Sequence, residues 1–312
     1  ALDGAGFTIR NLTVNRPGSY HQGLFGYLSG AAVCNLRLEN VNVRGLNGTG
    51  GLAGYATYAA IENVHVEGEV RGINYTGGVA GELNHGAAAQ VTASVAVLGE
   101  NYTGGIAGNV NGNATARHLF ATGSVRGDDY VGGLIGRLSG STAPTRPVVA
   151  DSFSRTAVYG RTQVGGAVGF GSYSRVARFG SAGPVGGEST VGGLLGYIGS
   201  GGVDASDCYW DRETSGCAAS AAGAGLTTAQ MRRRASFTTW NFLTLWRIDE
   251  GADYPALQDV SSHDAPATLT PADLAGAGTA ESPYLIGSAD ELNVMRQALA
   301  AHYRLTNDID LS

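Results

Sequence analysis

Gly50-Gly51-Leu52-Ala53-Gly54-Tyr55, followed by Ala60-Ile61-Glu62-Asn63-Val64-His65-Val66-Glu67-Gly68-Glu69-Val70-Arg71-Gly72, decides how this chain is read. Ile61, Val64, Val66 and Val70 are apolar, and Asn63, His65, Glu67 and Glu69 separate them. From Asn63 to Val66 the alternation is strict, which is the period of a half-buried strand. Glycines at the boundaries permit tight turns. They also omit side chains that would clash where successive coils stack closely, and they reach φ > 0 without strain. The layout recurs in Leu36, Leu38, Val41 and Val43 before this stretch, and in Val91, Ala93, Val95 and Val97 after it. Leu119, Ala121 and Val125 repeat it once more. No segment here has helical periodicity.

The motif Gly-hydrophobic-x-Gly begins at Gly23, Gly51, Gly78, Gly105, Gly133, Gly166 and Gly193, at intervals of 28, 27, 27, 28, 33 and 27 residues. A near-fixed period of this size marks a repeat protein in which each unit buries its apolar face against its neighbours. The expected fold is all-β, a β-solenoid (β-helix) of about seven coils with two or three short strands each. Stacked about 4.8 Å apart, they form a rod roughly 35 Å long. The longer interval carries Ser139–Val148, with Pro144 and Pro147, which reads as a surface loop inserted between coils.

Residues 1–203 are thus the solenoid, and the pattern changes after Asp204. Leu226–Met231 reads as a short helix capped by a Thr hydroxyl. Trp240, Phe242, Trp246 and Ile248 follow. A solenoid end exposes strand edges and an open core, so residues 204–259 are expected to form its small aromatic and helical cap. An aromatic ligand pocket is the competing reading. Residues 260–276 look like a linker. Residues 277–312 form a further segment of helix and strand. In it Ser288-Ala289-Asp290-Glu291 is a capping box, Leu292, Met295 and Leu299 are an apolar stripe, and Tyr303–Leu311 is strand-like.

All twenty basic residues are Arg, so lysine Schiff-base chemistry is excluded. A net charge of −6 argues against nucleic acid or an anionic membrane as partner. No run of about 20 apolar residues offers a membrane insertion. Ala1 begins inside the pattern, as a mature product or an excised piece would. Cys208 and Cys217 flank a turn-like stretch, where a local disulfide would suit an oxidising, extracellular setting; two free thiols are the alternative. Cys34 reads as a small buried hydrophobe. No Cys-x-x-Cys or His cluster offers a metal site, and no cofactor is expected.

β-Helices also host polysaccharide lyases and hydrolases, which need converging acids in a groove. Asp128, Asp129 and Asp151 are the candidates, with Arg126, Arg137, Arg146 and Arg155 nearby. Asp128-Asp129 occupies the turn held by Ile73-Asn74 and Glu100-Asn101 in earlier coils, so a turn role explains it better than catalysis or calcium binding. Tyr20, Tyr75, Tyr102 and Tyr130 each lie three residues before a motif glycine. Stacked between coils they form an aromatic ladder; exposed, they would offer a flat sugar-binding platform. Asn-x-Ser/Thr sequons occur at Asn11, Asn47, Asn74, Asn101 and Asn113, as glycosylation sites or as accidents of a repeat rich in Asn, Gly and Thr.

The Gly-Gly-Leu-Ala-Gly motif with its Ile-x-Asn-Val-x-Val pattern resembles GLUG repeats, found in large secreted and surface proteins of bacteria. These include adhesin-like proteins and the non-catalytic region of some IgA peptidases. Leu2–Leu12 and Gly23–Leu28 support the resemblance, and Cys208-Tyr209-Trp210-Asp211 looks like the stretch that often closes such a block. The serine usual before that Tyr-Trp-Asp is here Cys208, a departure that fits an added disulfide with Cys217. Pro283–Ile286 through Leu305–Leu311 resembles the opening of a block. The resemblance implies a non-catalytic structural or adhesive protein of the bacterial cell surface and supplies no catalytic residues. Joining Asp310-Leu311-Ser312 to Ala1-Leu2-Asp3-Gly4 gives a continuous block. The expected partners are therefore tandem copies, or subunits that self-associate head to tail by strand complementation, with surface glycans as a further partner. A carbohydrate-active β-helix enzyme and a glycan-binding module are the alternative functions.

Overall fold

A computed structural model describes residues 1–141, 146–258, 276–287, 292, 295 and 300–311. The expected linker over residues 260–276, Gly276 excepted, the capping box and Leu299 of the stripe, and Pro144 of the insertion lie outside them.

The chain winds into a parallel β-solenoid with three faces. The broad face stacks the long strands Ala32–Arg44, Ala60–Arg71, Ala87–Leu98 and Thr115–Arg126, then Val148–Ser154, Ser174–Ser181 and Val203–Asp211. A second face stacks Asn47–Gly50, Asn74–Gly77, Asn101–Gly104, Asp129–Gly132, Thr162–Gly165 and Ser189–Gly192. The third stacks seven strands from Phe25–Ser29 to Leu195–Ile198. Corresponding residues of successive coils fall in register, as in Val64↔Val91 and Val91↔Leu119. The sequence period therefore becomes continuous columns inside the rod, one of which runs Leu36, Val64, Val91, Leu119, Ser152, Phe179 and Cys208.

The motif glycines are required by close approach. A Cβ on Gly105 would sit 2.2 Å from the Gly133 carbonyl oxygen, and one on Gly133 would sit 2.2 Å from that of Gly166. Left-handed backbone, however, does not fall on these glycines as anticipated. It falls on polar and aromatic residues at other corners, including Asn63, Tyr75, Tyr102 and Tyr130. At the motif corners glycine answers crowding, while Tyr75, Tyr102 and Tyr130 accept a strained φ where their rings stack.

The stack does not stop at residue 203. Val203–Asp211 continues the broad face, and Ala224–Leu226 adds a final strand. Alternation still governs Tyr209-Trp210-Asp211. Trp210 turns inward and plugs the core end, against Gly193, where a Cβ would meet its ring at 2.0 Å. Tyr209 turns outward, under the cap. The cap packs Met231, Phe237, Trp240, Trp246, Tyr254 and Leu257 around Phe153, on the outer side of the broad face. Its helix Thr228–Met231 starts with the expected threonine: Thr227 Oγ1 accepts the Gln230 N–H, and Gln230 returns the bond to the Thr227 backbone.

At the other end, the C-terminal segment returns to the first coil of its own chain. Tyr303–Leu305 pairs with Leu2–Asp3, and Ile309–Asp310 pairs with Thr8–Arg10, both parallel. Tyr284–Ile286 adds one more strand beyond. Ile286, Met295, Tyr303, Leu305 and Ile309 close the apolar core there.

Candidate functional site

The tyrosine column exists, but not with the membership its sequence spacing implies. Tyr75 and Tyr102 stack at 4.8 Å with rings 8° apart, and Tyr102 and Tyr130 at 4.7 Å with rings 18° apart. Burial pushes the Tyr75 and Tyr130 hydroxyls up from their ordinary range, with nearby charges adding to it. Tyr20 does not join them; it is 61% exposed. The first coil has the single Gly23 where the second has Gly50-Gly51, so Gln22 pairs with Thr49 but Phe25 with Ala53. Counting back from Gly23 therefore overshoots by one residue, and His21 takes the slot. Because the rings stack along the rod, their faces cover one another and only edges meet solvent. The end beyond Tyr130 is closed as well, since Phe170 meets that ring edge-on at 5.4 Å. Tyr102, between two rings, therefore has no free face for a sugar to lie on.

A second column explains three of the sequons. The Asn74 amide donates to Asn47 Oδ1 at 3.0 Å, and the Asn101 amide to Asn74 Oδ1 at 2.9 Å. The threonines of these sequons, Thr49, Thr76 and Thr103, are fully buried. Asn-x-Thr is here the repeat's own pattern, amide in the ladder and threonine in the core. Asn11 is likewise engaged, with Asp310 and Asn40. Asn113 is exposed, with its Oδ1 2.7 Å from His85 Nδ1.

Two of the candidate acids belong to such columns, and each is paired within its own column. Asp129 continues the asparagine ladder, accepting from Thr162 Oγ1 at 2.6 Å and Arg161 Nη2 at 2.8 Å. Asp151 lies in a left-handed column of the broad face and forms a two-point ion pair with Arg178, at 2.6 and 2.7 Å. Asp128 is exposed at the turn, as its alignment with Glu100 implied. Among the described residues, no three His, Cys, Asp or Glu side chains gather as a metal site would need.

The expected Cys208–Cys217 disulfide is corrected by the structure, in which Cys34, Cys208 and Cys217 are free thiols. Cys208 points inward at the end of an apolar column, 4% exposed, its thiol directed at the Ser206 and Val176 carbonyls. Burial pushes it up to about 12. Cys217 lies beyond the helix Arg212–Ser215 and its left-handed Gly216, with its thiol near the Ser215 carbonyl. Asp211 supplies the link that holds this region instead. Fully buried, it caps that helix through the Glu213 and Thr214 N–H groups and accepts from Thr228 Oγ1 and Tyr254 Oη.

Residues the sequence did not single out hold the closure at the first coil. Asp308 accepts the Thr8 N–H at 2.6 Å and pairs with Arg10 at 2.7 Å. The Tyr303 N–H donates to the Ala1 carbonyl at 2.7 Å, and Arg304 reaches Asp3 at 3.3 Å.

Among solved structures, one described as a candidate immunoglobulin A1 protease from Bacteroides ovatus superposes with a TM-score of 0.51 at 18% identity. The likeness covers 82% of this chain and 76% of that one. At this identity it speaks for the β-solenoid fold alone. No curated protein sequence matches. Residues 45–71, the second coil with its Gly50-Gly51-Leu52-Ala53-Gly54 corner, match the family described as the GLUG motif. The coils before and after this one stack on it in register, so the chain is a β-solenoid that carries a GLUG motif in its second coil.

Proposed function

We propose that this protein is a non-catalytic structural and adhesive rod of the bacterial cell surface, and that copies join head to tail by exchanging the C-terminal segment. The observation that carries the reading is the parallel register of Leu2 with Tyr303 and Ile9 with Ile309. The segment continues the backbone ladder of the first coil, and the same hydrogen bonds form whether it comes from the same chain or the next. Addition of a strand to an open sheet edge is a general mode of association, and exchange of an identical element costs little because every contact is kept. Asp129 and Asp151, each held by a residue of the next coil, support a scaffold role over an active-site role. The GLUG motif and a chain built of repeats support placement outside the cell. Among the described residues no helix is long and apolar enough to cross a membrane.

Negative-stain electron microscopy of the full chain at high concentration, beside a variant ending at Ala275, tests this. Filaments from the full chain that vanish in the shortened one are the expected result. Single rods from both sink the head-to-tail assembly.

A further inference from the structure

The cap covers only part of the broad face, and a cleft of about 290 Å³ remains where its edge stops. The floor is two outward rows of the sheet: Thr92 and Phe120 in one, Ser94 and Thr122 in the next. Each residue lies one coil from its neighbour in the row. Ser94 and Thr122 hydroxyls are 2.7 Å apart, and Thr92 Oγ1 is 2.7 Å from His65 Nδ1. The wall is the antiparallel pair Trp246–Arg247 and Ala256–Leu257, which presents Arg247 and Leu257 to the cleft. At one end Arg155 is held at 3.1 Å by each Asp253 oxygen and lies over the Tyr254 ring. Its charge is thereby matched. Arg247 is exposed and makes no ion pair with the described residues.

We infer that this cleft binds a carboxylated sugar, with the Arg247 guanidinium taking the carboxylate, the three hydroxyls taking ring hydroxyls, and Phe120 lying against the ring. The inference deepens the adhesive reading and rests on it. A planar, permanently charged guanidinium pairs a carboxylate through two parallel hydrogen bonds, which a neutral sugar cannot form. A row of hydroxyls beside an aromatic ring suits a ligand with polar edges and an apolar face. Concave sites with an apolar floor and a few convergent polar groups are where small ligands bind. Of the two lining arginines Arg155 is matched by Asp253, which leaves the Arg247 guanidinium to attract an anion.

Isothermal titration calorimetry on the full chain decides it, with digalacturonic acid, its dimethyl ester, N-acetylneuraminic acid and N-acetylglutamate as probes. At least one acidic sugar should bind, and whichever binds more tightly identifies the uronate or the sialate class. The ester should bind about tenfold more weakly than the acid, and Arg247→Gln should weaken the acid by about the same factor. Arg247→Lys should recover part of the loss, and unchanged melting of both variants excludes misfolding. No heat with either acidic sugar, equal binding of acid and ester, equal binding of N-acetylglutamate, or no effect of Arg247→Gln each overturns the assignment. None of these results touches the filament experiment, so the site and the rod fail separately.

Discussion

Tyr254 donates its hydroxyl to Asp211 Oδ2 at 2.7 Å, across 43 residues of chain, and this bond ties the cap to the last long strand of the solenoid. The other Asp211 oxygen accepts the Glu213 and Thr214 N–H groups at 2.8 and 3.1 Å. One buried carboxylate thus starts a helix, receives Thr228 and anchors the cap. Burial, and then the Asp211 carboxylate, push the Tyr254 hydroxyl up, so it keeps its proton and remains a donor.

Tyr254→Phe should therefore cost about 1.5–3 kcal/mol, the range for a hydrogen bond to a charged group. Asp211→Ala should cost more, because it orphans several donors and removes a helix cap. Urea unfolding followed by tryptophan fluorescence reads this directly, since Trp240 and Trp246 lie in the cap core. An unchanged midpoint in Tyr254→Phe would show that the cap is held by packing alone.

The aromatic ladder sets two opposing quantities against each other. Tyr102 has φ 56°, a left-handed conformation that costs a non-glycine residue about 1–2 kcal/mol. It stacks on both Tyr75 and Tyr130, and each pair contributes about 0.5–1.5 kcal/mol beyond burial. Tyr102→Ala loses the stacking and keeps the strain, so it should destabilise by about 1–3 kcal/mol. Tyr102→Gly loses the same stacking but relieves the strain, and should be the milder change despite removing more atoms. Chemical denaturation of the two variants checks the order. Glycine worse than alanine would mean that the left-handed turn is set by the coil rather than tolerated for the rings.

Much of the fold was legible in the chain, for a physical reason. In a solenoid the sequence period is the spatial period, so the spacing of Gly51, Gly78 and Gly105 already describes a column. Legibility fails where one residue breaks that identity. The lone Gly23 shifts the first coil by one position and hands Tyr20's place to His21. Asp207, with φ 54°, interrupts strand alternation just before Cys208. The side of the sheet that Cys208 faces therefore cannot be counted from the strand start. The cleft beside Arg247 was not legible, because it forms between residues more than a hundred positions apart that no local pattern links. The sequence pointed to the C-terminal segment completing a first coil, but not to the pairing of Tyr303 with Leu2 inside one chain.

The buried thiol of Cys208 makes stability depend on alkaline pH. Its ordinary value is 9.0, and burial raises it to about 12 in the folded protein. Between those values the unfolded chain has released the proton while the folded chain holds it. The folded state then binds more protons, and stability falls as pH rises. The contribution is complete below pH 9 and is lost progressively toward pH 12. Unfolding free energies measured from pH 8 upward should decline more steeply in the native protein than in Cys208→Ala. Parallel slopes would place the thiol in contact with solvent. In the folded state at pH 8 the thiol should also resist a disulfide reagent that modifies it at once in urea.

Asp308 gives the closure of the first coil a local test. It accepts the Thr8 N–H and pairs with Arg10, but the Arg10 side chain is 38% exposed, so the ion pair contributes little and the backbone bond matters more. Asp308→Asn keeps an acceptor for Thr8 and should leave the closure nearly intact. Asp308→Ala leaves that N–H without its partner and should weaken the closure by about 1–2 kcal/mol, near a tenfold rise in local opening. Hydrogen exchange resolves the consequence by position. Amides of residues 2–10 and 303–310 should exchange faster in Asp308→Ala, while the coil around Val91 and Val95 keeps its protection, because each coil contacts only its neighbours. Faster exchange along the whole rod would make the C-terminal segment part of one cooperative unit, and a segment bound that tightly could not pass from one chain to the next.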